Sequence, residues 1–225
     1  MEIGGAEPVP MTSGACCAGE TRDKVAPPIS VEVVMFSQHP PRLDLLPVAE
    51  MDDAQRQVHD AIANGPRRGQ QGTVPIMDAD GRLLGPFAVM LLAPEVGGPV
   101  QEVGAALRFA TQLADREREL AILAVAAAHG CDFEWRSHEA AARKLGITSA
   151  QLGSIAAGHV PSGLNDTEAL VLRLADTMAR DRSLPDEDYD VAVELLGRAK
   201  LAEVTWLVGY YAALALALAV FRPAG

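Results

Sequence analysis

Residues 204–221 read VTWLVGYYAALALALAVF, a run without a single charge. Its length sits at the lower edge of the roughly 17–25 residues that a bilayer-spanning helix needs. No second span and no flanking basic loop accompany it. A helix apolar on every side is also what a core or a subunit interface buries, and that is the expectation here, with no membrane. The rest of the composition agrees. Hydrophobic residues make up 49% of the chain and aromatics only 4%, so alanine and leucine carry the apolar content and favour packed helices over sheets. A chain of 225 residues is long enough for one full-sized core.

Punctuation upstream divides the chain into helices. Residues 47–64 start on Asp52 and Asp53, repeat apolar positions at Val58 and Ile62, and stop at Asn64-Gly65-Pro66. Residues 67–85 hold Gly69, Gly72, Pro75, Asp80-Gly81 and Gly85 and read as a loop. A short apolar turn or helix is expected over 86–92, ended by Pro94, and a helix over 99–111. Helices follow over 115–129 with a stop at Gly130, and over 132–145 with a stop at Gly146. A further helix runs from Thr148 to Gly158. Asn165-Asp166-Thr167-Glu168 is a capping start for a helix to about Arg180. Pro185 opens a helix to Gly197, and 199–221 form the last. No repeat at a solenoid period and no sustained alternation is present. The expected architecture is all-α with one domain over 41–225.

Residues 1–40 are rich in Gly, Pro, Ser and Thr and read as a disordered tail. Within them 31–36 form a short apolar run, either an isolated strand or an arm, and translation starts at Met1 or at Met35. The formal net charge of −11 repels phosphate backbones, so nucleic acid is not an expected partner. Three cysteines, Cys16, Cys17 and Cys131, do not make a disulfide framework. With an acidic N-terminus that lacks an apolar leader, they indicate a reducing cytoplasm.

Chemistry concentrates on one helix. Cys131, Glu134 and His138 are spaced i, i+3 and i+7, which puts thiol, carboxylate and imidazole on one stripe. Cys131 follows Gly130 at the positive end of a helix dipole, a position that lowers a thiol pKa. Glu134 one turn from His138 favours the charged imidazole. Together they suit proton transfer or thiol redox chemistry. The plainer alternative is a solvated Glu/His pair beside a small buried thiol. Phe133 and Trp135 bracket Glu134, as an apolar wall that raises a carboxyl pKa or as ordinary core anchors. His129 either flanks the same pocket or is a helix-end cation. His59 and His159 stand alone and read as superficial. Glu119, Glu134 and His138 lack the Glu-x-x-His repeat of a bundle metal site, so no metal is expected. No dinucleotide, phosphate-loop or nucleophile-elbow motif is present, and no cofactor is expected.

The runs Asp115-Arg-Glu-Arg-Glu119-Leu-Ala-Ile-Leu and Gly130-Cys131-Asp-Phe-Glu134-Trp-Arg-Ser-His138, continuing to Gly146, resemble the signature of the carboxymuconolactone decarboxylase family. Gly81-Arg-Leu-Leu-Gly85-Pro-Phe87, Leu91-Leu-Ala-Pro-Glu95 and Gly104-Ala-Ala-Leu-Arg-Phe109 resemble its longer branch. The resemblance runs from about Arg42 to the C-terminal helix. It implies an alkyl hydroperoxidase D-like helical bundle that forms homo-oligomers, trimers or hexamers, with the site near a subunit boundary. In the alkyl hydroperoxidase D branch a Glu precedes C-x-x-C-x-x-x-H. Glu119, Cys131 and His138 match it, but Glu134 stands where the second cysteine would be. A two-thiol cycle needs that resolving cysteine. The resemblance therefore implies a cofactor-independent lyase or isomerase of the decarboxylase kind, acting on a small carboxylated, phenolic or lactone-like substrate. His138 would be the base, Glu119 and Glu134 the relay, and Cys131 an assisting group. Phe133, Trp135 and His129 would contact substrate. Arg136 and Arg108 are candidates for a substrate carboxylate, with surface solvation the simpler fate of each. The alternatives are a hydroperoxide-reducing enzyme centred on Cys131 and a non-enzymatic oligomeric binding protein.

Overall fold

The computed structural model describes residues 40–66 and 75–225. The expected tail, the apolar run at 31–36, Cys16, Cys17 and loop residues 67–74 lie outside the described residues. Among the described residues are eight α-helices and two isolated β-bridges, with no strand. The helices are α1 (Asp53–Ala63), α2 (Pro86–Met90), α3 (Pro94–Phe109), α4 (Asp115–His129), α5 (Asp132–Lys144), α6 (Ser149–Ala156), α7 (Asp166–Asp181) and α8 (Asp186–Phe221).

Helix α4 is the axis of the bundle. It packs against α5, α6, α7 and α8, and Leu120, Ala121, Ile122, Leu123, Ala124 and Val125 are all buried. A helix covered on several sides needs no polar stripe beyond its first turn. Each of its buried Leu and Ile side chains contributes about 1.5–3 kcal/mol relative to exposure. Its polar end is tied down by ion pairs. Lys200 Nζ donates to Glu117 Oε2 at 2.6 Å, and Glu117 accepts from the Ala114 N–H at 2.9 Å. Arg116 donates from Nε to Glu168 at 2.7 Å and from Nη1 to the Leu145 carbonyl at 2.7 Å, linking α4 to α7 and to the end of α5.

Local signals explain most boundaries. Asp52 caps α1, accepting from the Gln55 N–H at 2.8 Å. Thr148 caps α6, and Asn165 caps α7 with Glu168 reaching back to its N–H. Helix α4 ends at Gly130, whose left-handed φ of 59° suits a residue without a β-carbon. The chain then reverses directly into α5.

One boundary differs from the reading of the sequence. Pro94 does not merely end α2. It occupies the first turn of α3, where its missing N–H costs nothing, and Pro99 lies inside that helix. The stop expected at Gly197 is present: its φ of 76° and ψ of 159° are not helical, so α8 is two helical stretches joined across a break there. The apolar half of α8 is two-sided. Leu201, Val204, Leu207, Tyr211, Leu214 and Leu218 are buried, whereas Trp206 and Leu216 are 70% and 66% exposed. By length and composition α8 is apolar enough to cross a membrane, a test that the core helix of a soluble protein also passes. Its end is held by the segment before α1, where Leu43 and Pro223 form a parallel bridge.

Candidate active site

The tight turn at Gly130 makes α4 and α5 a helical hairpin. Glu119 lies on α4 ten residues before its last residue, His129, and His138 lies on α5 six residues past its first, Asp132. At 1.5 Å of rise per residue, the return leg brings His138 back toward the level of Glu119. The two side chains meet: His138 Nδ1 lies 2.6 Å from Glu119 Oε2. On the other edge of the ring, Nε2 faces Glu134 Oε2 at a looser 3.4 Å. Glu134 and His138 are one helical turn apart, as their spacing predicts. All three are buried, at 2%, 4% and 5% exposure for Glu119, Glu134 and His138.

The imidazole is thus clamped between two carboxylates away from bulk water. Burial acts to depress the His138 pKa, but the Glu119 and Glu134 contacts outweigh it, and the ring is held above its ordinary value. Burial likewise pushes the Glu119 carboxyl up. The hydrogen bond and charge of His138, and then Arg108 and Arg118, overcome that and hold it below the usual carboxylate range. Each group thus favours the charged form of the other.

Two residues that sequence reasoning did not assign to the site, Tyr211 and Arg118, complete it together with Arg108, which was offered only as a binder of substrate carboxylate. Tyr211 of α8 sets its ring edge against His138, with centroids 5.3 Å apart at 90°, and stacks in turn against Tyr210. Arg108 Nη2 and Arg118 Nε lie 3.7 and 3.9 Å from Glu119 Oε1. Arg118 also donates to Asp115 at 2.7 Å, while its buried Nε has no hydrogen-bond partner. The signals were faint: two tyrosines in an otherwise aliphatic run, and an arginine immediately before Glu119.

Cys131 departs from expectation. It is the N-cap of α5 and not part of the stripe inside the helix. It is 9% exposed, packed with Ala215, Leu218 and the partly buried Phe133. Burial pushes its thiol up, the Glu134 backbone N–H opposes it, and the Glu134 and Asp132 charges raise it further, to about 11. The helix-terminus argument for an activated thiol therefore fails here. Burial and two neighbouring carboxylates exceed the effect of the dipole.

The remaining candidates separate. Phe133 lies over Gly85, where a β-carbon would fall 2.1 Å from its ring, and Trp135 packs against the main core. His129 is exposed and lines a cavity of about 790 Å³ that includes none of Glu119, Cys131, Glu134 or His138. His59 is not superficial. It is buried, and its Nε2 lies 2.9 Å from the Gly81 carbonyl, fastening α1 to the loop before α2. Arg108 is not a solvated surface group either, being 12% exposed beside Glu119. Arg136 and His159 are exposed. Among the described residues no group of three His, Cys, Asp or Glu side chains is arranged to hold a metal ion.

Residues 94–177 match the model of the carboxymuconolactone decarboxylase family. That stretch spans α3 to α7 and contains Glu119, Cys131, Glu134 and His138. Among curated proteins, none matches the chain. Among solved structures, the fold is similar to the alkylhydroperoxidase AhpD core of an uncharacterized peroxidase-related protein from Ralstonia eutropha JMP134. The TM-score is 0.62 at 15% identity, covering 82% of this chain and 92% of that one.

Proposed function

With residues 94–177 carrying the carboxymuconolactone decarboxylase family pattern on an AhpD-type fold, we propose that the protein is a cofactor-independent acid/base enzyme. It acts as a lyase or isomerase on a small carboxylated, phenolic or lactone-like substrate. The observation that carries this reading is the clamp on His138: Nδ1 on Glu119 at 2.6 Å, Nε2 toward Glu134 at 3.4 Å, all buried.

The clamp sharpens the role of His138. With a carboxylate at each ring nitrogen and its pKa held above the ordinary value, the imidazole is favoured in its charged form, and it takes the role of the acid. Glu134 is the acceptor that takes a proton from substrate, and His138 Nε2–H supplies one in return. Glu119 keeps Nδ1 protonated and compensates the ring's charge. Arg108 and Arg118 prevent Glu119 from withdrawing that proton. Burial strengthens each of these interactions over its value in water.

A peroxidase centred on Cys131 fits the site less well. Its thiol is pushed up to about 11, and a thiol is the weaker nucleophile until it ionises. A purely structural role does not account for three ionisable groups gathered in the interior, where burial penalises charge unless it is paired. Homo-oligomers fit the exposed apolar end of α8, where Leu216 and Val220 face outward.

Proton transfer can be assayed before the product is known. Small carboxylated lactones and phenolic acids, incubated with the protein in D2O, should gain deuterium at carbon, read by NMR. His138→Gln and Glu134→Gln should each lower that exchange by roughly 10²–10⁴-fold. Exchange unchanged in both variants would remove the proposal.

A further inference from the structure

The cavity of about 790 Å³ lined by His129 lies apart from the relay. It is an open hollow bordered by the end of α7, the segment that joins it to α8, and both sides of the Gly197 break. Its size falls within the roughly 300–1,000 Å³ of small-molecule sites. Its walls are apolar, with Met178, Leu184, Leu201 and Val208 inside and the 70% exposed Trp206 in the lining. An aromatic side chain left in water is a large contact surface waiting for an apolar partner.

The two formally charged groups in the lining, Arg182 and Arg198, have one sign. His129, Arg182 and Arg198 line the cavity, and no carboxylate does. In a chain with 30 Asp and Glu against 19 Lys and Arg, such a lining runs against the composition. Arg182 is also held in the left-handed region, φ 56°, as the C-cap of α7, a position that glycine or asparagine usually fills. Arg182 lines the cavity from this cap position. A cationic rim over an apolar chamber is complementary to a molecule with an anionic head and an apolar body.

We propose that this cavity is a binding site for an amphipathic organic anion, a monocarboxylate with an extended aliphatic body, distinct from the Glu119–His138–Glu134 relay. The carboxylate pairs with Arg182 and Arg198, bidentate where the fork allows, and the chain lies against Leu201, Trp206 and Val208.

The full-length protein is titrated with decanoate below its micelle concentration, followed by tryptophan emission and by calorimetry, with decan-1-ol as the uncharged comparison. Saturable binding of decanoate is expected, at least about tenfold tighter than decan-1-ol. Trp206→Phe should remove the emission change while calorimetric binding persists. The double variant R182A/R198A, altering two exposed side chains, should keep the wild-type circular dichroism and weaken decanoate by at least about tenfold. Equal affinity for acid and alcohol, or an unchanged affinity in R182A/R198A, would overturn the proposal. So would absence of saturable binding, including the case in which light scattering shows a second copy sealing the cavity.

Discussion

Glu119→Gln isolates the buried pair on which the site rests. The substitution keeps size and shape but removes the charge that accepts from His138 Nδ1 at 2.6 Å. It also leaves Arg108 and Arg118 facing a neutral amide at 3.7 and 3.9 Å. Breaking a buried ion pair by removing one partner costs about 3–5 kcal/mol. Glutamine still offers an acceptor, which places the expected loss near the lower end, about 3 kcal/mol. For a chain of this size that lowers Tm by roughly 6–12 °C. The pH dependence carries the sign. His138, with its folded pKa raised, stabilises most below its ordinary 6.5, and that contribution is lost as pH climbs through the raised folded value. Glu119, with its folded pKa lowered, stabilises above its ordinary 4.5 and loses that as pH falls through the lowered value. The advantage of wild type over variant should therefore be greatest between 4.5 and 6.5 and should shrink toward alkaline pH. Urea denaturation of both proteins across this range measures it. A difference below about 1 kcal/mol that does not change with pH would refute the paired, charged state of the site.

The Cys131 thiol, pushed up to about 11, should resist alkylation at neutral pH. In a Cys16→Ser/Cys17→Ser background, iodoacetamide should modify it appreciably only in strongly alkaline solution, and rapid labelling at neutral pH would contradict the burial argument. Gly85→Ala would place a β-carbon 2.1 Å from the Phe133 ring at a φ of 57°. It should cost about 1–3 kcal/mol in urea denaturation, with part of the loss recovered in the Gly85→Ala/Phe133→Ala double variant. Arg116→Ala removes the donor to Glu168 and to the Leu145 carbonyl. It should cost about 1–3 kcal/mol by the same measurement, while deuterium exchange into substrate per folded molecule stays unchanged.

Helix punctuation was legible where it is local. Gly130, Asn165 with Glu168, and Thr148 each act on their own neighbours, and the structure puts helix ends at all three. The stripe of Glu134 and His138 was legible for the same reason, since one helical turn is a local distance. Proline was harder to read. Pro94 can close one helix or open the next, and only the packing of α3 against α1 and α2 decides. Gly197 was legible as a stop, since its φ of 76° and ψ of 159° end one helical stretch before the next begins. What the sequence did not carry was long-range. Tyr211 reaches His138 from a helix 73 residues away in sequence, and His59 is buried by a loop carbonyl at Gly81. The thiol of Cys131 illustrates a competition of magnitudes. Its place at a helix start pointed one way, while burial against Ala215 and Leu218, invisible in the local sequence, pointed the other.

The central claim is that His138 is a buried, protonated imidazole between Glu119 and Glu134. An NMR titration of the folded protein labelled with nitrogen-15 in its histidines tests this most directly, with His138→Gln assigning the signal. Both ring nitrogens of His138 should remain protonated through neutral pH, above the ordinary value of 6.5. A ring that is neutral at pH 7 and titrates at or below 6.5 would contradict the account.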